Sequence, residues 1–414
     1  MSSASNFPEV HASTHAQRTL QPLTELTDKL KPSHSKKPII KLSMGDPTAD
    51  GNLVAPQLLV DELVDIVKSK DFNGYPPVAG YNEARQVVAE YWTKFCGTQE
   101  RKDQINWKNV LLTSGGSHAI VLAISALCNE GDNLLVCAPA FPHYKTVCDS
   151  YGVECRYFPL DAAKNWEADL EAAAKLVDGK TRGMLFVNPS NPCGSNYSRK
   201  HVGEIVHFCE EHRLPLISDE IYAELVFKGE VFTSIADFDT DVPRLVMGGS
   251  AKHAVTPGWR IGWLILVDRK AVAKDWMKGM DRLAQLLTGS NSIGQMSLVR
   301  ALTKIPQDYV DSVIAQLEAG AKVYDRLLDH DIGLSFDAPR ASMFIMLKID
   351  FSYFKDITTD MEFYEKLLDE ENVQVLPGEI FGVHGFVRAT TSRPASIVNE
   401  AVDRVIEFCE RHKK

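Results

Sequence analysis

The chain has 414 residues, a formal net charge of -10 and a hydrophobic fraction of 44%, enough for two or three domain-sized units with substantial cores. The charge is spread along the sequence with no basic block to track a phosphate backbone, so nucleic acid is excluded as an expected partner. The longest apolar segments fall far short of a membrane span, and the N-terminus lacks the charged start and apolar core of a secretory signal, so no membrane association is expected.

Eight cysteines, at 96, 128, 137, 148, 155, 193, 209 and 409, form no CxxC pair and several lie in apolar runs. They read as reduced thiols of an intracellular protein. Residues 1–35 are rich in Ser, Thr, His and Pro and carry Glu9 and Glu25, which fits an Arg-rich mitochondrial transit peptide less well than a cytoplasmic protein.

Residues 1–38 are expected to form a flexible N-terminal arm. Ile39-Ile-Lys-Leu-Ser43 then reads as a short strand, and Met44-Gly-Asp-Pro47 turns the chain where Gly45 can expose its amide to a ligand, although most such turns are structural. From Pro56 to Lys70, Leu59, Val60, Leu63, Val64 and Val67 recur at helical spacing and predict a surface helix facing a core. The loop Asn73-Gly-Tyr-Pro-Pro-Val-Ala-Gly80 carries the Tyr75 hydroxyl. It is able to reach a subunit interface, with a structural turn as the plainer reading.

Val110-Leu-Leu-Thr-Ser-Gly-Gly-Ser117 is a strand running through small residues into an apolar helix. Gly116 and Ser117 at that helix start form either a phosphate cup or a plain cap. The glycine spacing matches neither a Walker A loop nor a dinucleotide fingerprint. Asn133-Leu-Leu-Val-Cys-Ala138 leads to Phe141, which either stacks on a planar ring or packs in the core. In Asn188-Pro-Ser-Asn-Pro-Cys-Gly194, two Asn-Pro steps fix the loop so that Asn191 can present its amide.

Leu214-Pro-Leu-Ile-Ser-Asp219 and Leu245-Val-Met-Gly-Gly249 are short apolar runs that stop at charged or small residues, and read as buried strands of an α/β sheet. Ligands in such sheets bind beyond the strands' carboxyl ends, where Asp219 and Lys252 fall. An amine and a carboxylate over one crevice suit pyridoxal phosphate: lysine makes a Schiff base with the aldehyde, and the acid keeps the pyridine nitrogen protonated. Singly, Lys252 reads as a solvated lysine and Asp219 as a helix cap, so the case depends on the constellation.

Strands near 110, 134, 154, 184, 215, 245 and 262 alternate with helical segments and predict a mostly parallel seven-stranded sheet covered by helices. Residues 271–329 should be mainly helical with a break at Ile305-Pro306. A smaller α+β unit follows, with strands near 342–349, 373–378 and 385–391 and helices at 361–371 and from Ala395. The expected division is an arm at 1–38, a small domain from 39–55 and 301–414, and a large domain at 56–300. Arg388, in an apolar strand, is paired with a protein carboxylate or kept for a substrate carboxylate. His207, Cys209 and His212 lack the spacing of a zinc site, so they read as a helix face and no metal is expected.

With Asn191, Asp219, Tyr222, Lys252 and Arg260 in order, the chain resembles the fold-type I aminotransferases, and among them the tyrosine aminotransferases. The segments that carry the resemblance are Asn188-Pro-Ser-Asn-Pro-Cys-Gly-Ser195, Ser218-Asp-Glu-Ile-Tyr-Ala223, Gly248-Gly-Ser-Ala-Lys252 and Pro257-Gly-Trp-Arg-Ile-Gly-Trp263. The likeness runs from about Ile39 to the C-terminus.

The resemblance implies that Lys252 binds pyridoxal 5'-phosphate and then carries the proton as general base and acid. Asp219 would pair with the ring nitrogen, Asn191 and Tyr222 with the phenolic oxygen, and Phe141 would stack on the ring. Gly116, Ser117 and Arg260 would hold the phosphate, with Tyr75 reaching it from the partner of a homodimer. Gly45, Asn191 and Arg388 would bind the substrate α-carboxylate. Ser250 and His253 depart from the commoner residues of the family. Ser250 offers a further phosphate contact, and His253 an influence on the lysine's pKa.

Leu286-Leu-Thr-Gly-Ser-Asn291 has no arginine for a second carboxylate. This favours tyrosine, phenylalanine or methionine as amino donor, with 2-oxoglutarate or pyruvate as acceptor. The alternatives are a pyridoxal phosphate carbon–sulfur lyase on the same fold and a non-catalytic cofactor-sensing domain. The latter calls for a helix-turn-helix that the N-terminal stretch does not supply.

Overall fold

The computed structural model describes residues 10–28 and 33–414. Its central feature is an eight-stranded sheet, ordered 110–113, 262–267, 244–249, 216–219, 181–187, 133–138, 154–161 and 167–168. Six of these strands run in one direction, and Gly262–Val267 and the short edge strand Glu167–Ala168 run against them. Asn133–Ala138, Arg244–Gly249 and Gly262–Val267 are buried at every position, because helices cover both faces. The seven expected strands are present. The eighth is two residues long and pairs only with Leu160 and Asp161, too short to show a period.

A second, antiparallel sheet is ordered 334–335, 344–349, 386–390 and 376–377. Ile40–Lys41 pairs in parallel with Val373–Gln374. The stretch expected as one strand at 373–378 is thus divided between two partners. Leu347, Val387, Val402 and Phe408 are buried in a core on this side that is separate from the core of the large sheet. The helices Ser292–Lys304 and Gln307–Val323 are interrupted at Ile305 and Pro306, as the missing proline N–H requires.

Two expectations need correction. Of the expected flexible arm, residues 1–9 and 29–32 lie outside the described residues, but residues 10–28 are docked. Thr14–Arg18 and Pro22–Asp28 are helices; His15 Nδ1 donates to the Ser150 carbonyl at 2.8 Å, Arg18 pairs with Glu130 at 2.7 Å, and Leu26 enters the small-sheet core. Tertiary contacts, absent from local composition, order this stretch. The helix Gln57–Ser69 buries Leu59 and Ile66 but leaves Leu58, Val64 and Val67 exposed, so part of its apolar surface faces away from the core.

Candidate active site

Three adjacent parallel strands end together. Val187 is in register with Asp219, and Asp219 with Met247, so the loops that follow deliver Asn191, Asp219 and Lys252 to one edge of the sheet. Asn133–Ala138 sends Phe141 and Tyr144 to the same edge, and Val110–Thr113 sends the start of the helix Gly116–Leu127. Against this edge the small sheet places Phe344 and Arg388. The resulting cleft has a volume of about 470 Å³ and is lined by Gly45, Gly116, Ser117, Phe141, Asn191, Asp219, Tyr222, Lys252, Arg260 and Arg388, with Tyr144 and Phe344 among the others.

Lys252 is half-buried, and its Nζ donates to the Gly45 carbonyl at 2.7 Å. Desolvation lowers its pKa to about 8, with Asp46 opposing the shift. Asp219 is buried; Tyr144 donates its hydroxyl to Oδ2 at 2.8 Å and the Ile221 amide donates to Oδ1 at 3.2 Å. Burial raises the carboxyl's pKa, while Tyr144, the Ile221 amide and Lys252 oppose the rise. No cation makes an ion pair with Asp219 among the described residues. Desolvation pushes the Tyr222 phenol well up, Asn191 bonding to it in opposition.

Arg388 is buried with no carboxylate partner among the described residues. Its Nη2 donates to the Ser43 carbonyl at 2.6 Å and its Nη1 to Asn191 Oδ1 at 3.2 Å, while Nε has no partner. The guanidinium lies 4.2 Å from the Phe344 ring centroid and 4.9 Å from that of Phe381, contacts that favour the cation. Its desolvation lowers the pKa to about 10, so it stays charged at neutral pH. Of the two sequence readings, pairing with a protein carboxylate is not found among the described residues.

Arg260 adopts a left-handed φ of 51° and donates to the Pro257 and Ser114 carbonyls. Gly115 makes this possible: a Cβ there would lie 2.5 Å from Arg260 Nη2. The guanidinium and the amide end of the helix Gly116–Leu127 thereby converge on one spot suited to a phosphate. Gly45 is similarly restricted, since a Cβ would press on the Phe344 ring at 3.3 Å.

Three sequence candidates stand elsewhere. Tyr75 is 89% exposed, outside this protomer's cleft. Ser250 is buried, accepts from Thr256 Oγ1 at 3.2 Å and does not line the cleft. His253 is buried against Tyr91, ring centroids 6.2 Å apart, and desolvation holds its pKa down to about 4. It is therefore neutral, and the charges acting on Lys252 are those of Asp46, Arg388, Asp219 and Arg260. Sequence reasoning missed Tyr144, Phe344 and the Ser43 carbonyl. For Tyr144 a signal existed, three residues beyond Phe141.

The carboxylate next to Asp219 is shifted in the same direction and lies away from the cleft lining. Glu220 is buried under the sheet edge, accepting from Ser234 Oγ at 2.6 Å and the Ile235 amide at 2.9 Å, and desolvation raises its pKa from 4.5 to about 8. The folded chain then holds a proton that the unfolded chain has lost. Stability from this group is full below the ordinary carboxyl pKa and is lost as pH rises through about 8. E220Q, whose single carbonyl oxygen can keep the Ile235 contact, is expected to flatten that slope by on the order of a few kcal/mol between about pH 5 and about pH 8.5. Urea unfolding of both proteins across this range checks it, and parallel slopes would refute it.

The sequence profile of the family described as aminotransferase class I and II matches residues 37–405. The tyrosine aminotransferase of Dictyostelium discoideum is 37% identical over 413 residues, covering 98% of this chain and 97% of that protein. That of Homo sapiens is 35% identical over 406 residues, covering 97% and 88%. Among solved structures, the crystal structure of tyrosine aminotransferase from Leishmania infantum has a TM-score of 0.97 and 62% identity, over 99% of this chain and 100% of that one. Alanine aminotransferase from Pyrococcus furiosus has a TM-score of 0.87 and 27% identity, over 97% and 100%.

Proposed function

The chain belongs to the class I and II aminotransferases, a fold-type I family that works with pyridoxal phosphate, and from this membership we propose that it transaminates tyrosine and related aromatic or large apolar L-amino acids. The observation that carries the reading is a cleft holding an amine, Lys252, a buried carboxylate, Asp219, and a buried guanidinium, Arg388, the last two without an oppositely charged ion-pair partner among the described residues. Each lacks the partner that cofactor and substrate would bring, so the residues fit the cofactor.

Bound pyridoxal phosphate supplies an aldehyde for the amino group and a ring that accepts the electron pair released at the substrate Cα. Lys252 would bind the aldehyde and move the proton at Cα. Asp219 would hold the ring nitrogen, Asn191 and Tyr222 the phenolic oxygen, and Phe141 the face of the ring, while Gly116, Ser117 and Arg260 would hold the phosphate. Arg388, with Asn191 and the Gly45 turn, grips the α-carboxylate of the amino acid or the 2-oxo acid. Lys252 and Asp219 belong to the segment 56–300, and Gly45 and Arg388 to 39–55 and 301–414, which supports a two-domain division with the cleft between.

The donor preference rests on the cleft's walls. Leu23, Met44, Ile120, Phe141, Phe344 and Leu376 are apolar, and no third guanidinium joins Arg260 and Arg388 among the lining residues. An aromatic ring suits such walls better than a second carboxylate. A carbon–sulfur lyase is not favoured, since the similar proteins are named aminotransferases.

A homodimer with shared sites is also part of this reading. The exposed Tyr75, Leu58, Val64, Val67, Leu286 and Leu287 are side chains that a partner subunit could cover. Sedimentation at micromolar concentration should give a dimer, and a monomer would remove this element. No helix among the described residues is long and apolar enough to cross a membrane. The eight unpaired cysteines support a cytoplasmic location, which imaging of a tagged chain would overturn by placing it in mitochondria.

Adding tyrosine alone to the loaded enzyme should bleach the cofactor's visible band in favour of a near-ultraviolet band, and 2-oxoglutarate or pyruvate should restore it. A band that tyrosine, phenylalanine and methionine all leave unchanged would discard the proposed donors.

A further inference from the structure

Tyr144 has no part in the roles assigned above, yet it is built into the site. It lies in the first turn of the helix His143–Ser150 and is 1% exposed. Its hydroxyl is 2.8 Å from Asp219 Oδ2. Its ring meets Phe141 edge to face, centroids 5.8 Å apart and planes at 89°, so the residue expected to lie against the cofactor ring also braces the phenol. The other oxygen of Asp219 accepts only the longer Ile221 amide bond at 3.2 Å. Tyr144 is thus the sole side chain donating to this carboxylate among the described residues.

A buried carboxylate given one donor on each oxygen has its plane fixed, and its remaining lone pairs are free for a cation in the cleft. In such a dry setting a hydroxyl donated to a carboxylate is a strong bond. Burial and Asp219 itself push the Tyr144 phenol far up, so it stays a donor throughout any workable pH range.

We propose that Tyr144 is a positioning residue of the reaction: its hydroxyl keeps Asp219 ionised and aimed into the cleft, and so sets the hold on the cofactor's protonated ring nitrogen. The inference rests on the reading of Asp219 as that nitrogen's partner. Removing the hydroxyl frees the carboxylate to rotate and weakens its preference for the charged form, while the phenyl ring keeps the packing against Phe141.

A double-mutant cycle separates this from a packing role. The dissociation constant of pyridoxal phosphate is measured by titrating apoprotein, together with the pH midpoint of the visible band, for the wild type, Y144F, D219N and the double variant. Y144F is expected to weaken binding about tenfold, the order of one hydrogen bond to a charged group, and to displace the midpoint. In the D219N background the same change should weaken binding less than about twofold. An equal loss in both backgrounds would assign Tyr144 to packing and overturn the proposal, as would a Y144F protein with wild-type affinity and midpoint. D219N binding and titrating as the wild type would instead overturn the Asp219 reading beneath it.

Discussion

Replacing Lys252 by alanine is expected to lower the transamination rate roughly 10⁴-fold or more while leaving the fold intact, because one amine performs two tasks. On the proposed reading it would bind the aldehyde covalently and, once displaced, move the proton at the substrate Cα. Both tasks need an amine that is neutral part of the time. An exposed lysine is almost wholly protonated at neutral pH; here desolvation in the cleft brings the pKa to about 8. The neutral fraction therefore grows as pH rises through that value, and uptake of pyridoxal phosphate by apoprotein should quicken over the same interval. The side chain ends in the cleft, where Nζ bonds the Gly45 carbonyl and lies 5.8 Å from the Tyr222 ring centroid. Single-turnover kinetics with tyrosine and a thermal melt of K252A check both parts. Wild-type rates in a folded K252A protein would sink the assignment.

What could be read in advance follows a physical line. Asp219 and Lys252 could be placed because strands buried on both faces are continuous apolar runs, and polar residues at or just past their carboxyl ends fall at the edge where ligands bind in such sheets. Asn191 was legible because two Asn-Pro steps leave its loop few conformations. Tyr144 was not singled out: its place three residues beyond Phe141 was a local signal, but its partner is 75 residues away. The Ser43 carbonyl could not be read at all, since any residue has one. Ser250 shows the converse error. A hydroxyl two residues before Lys252 looks available for phosphate, but Thr256 folds back to bond it. The docking of residues 10–28 depends on Ser150, Glu130 and Thr146, far along the chain, and composition carries no trace of that.

Arg388 gives the second large effect. The protein holds this cation buried, pointed by the Ser43 carbonyl and Asn191 and faced by two aromatic rings, with no carboxylate partner among the described residues. Burying a charge in that state is unfavourable, and on the proposed reading a substrate carboxylate would supply the counter-ion. R388A is expected to lower kcat/KM for tyrosine roughly 10³-fold. R388K should lower it roughly 10²-fold, because an ammonium is a point charge that cannot form the paired N–H···O bonds of the planar fork. The loss should appear in KM as well as in kcat, since the carboxylate is held in the ground state and oriented for proton transfer. The spectrum of the bound cofactor should be unchanged before substrate is added. Tyramine, which keeps the ring and the amine but has no carboxylate, separates this contact from a general loss of integrity. Its already poor reaction should be nearly the same in the wild type and both variants. If R388A reduced the tyramine and tyrosine reactions by equal factors, Arg388 would be supporting the site's architecture, and carboxylate recognition would have to be sought elsewhere in the cleft.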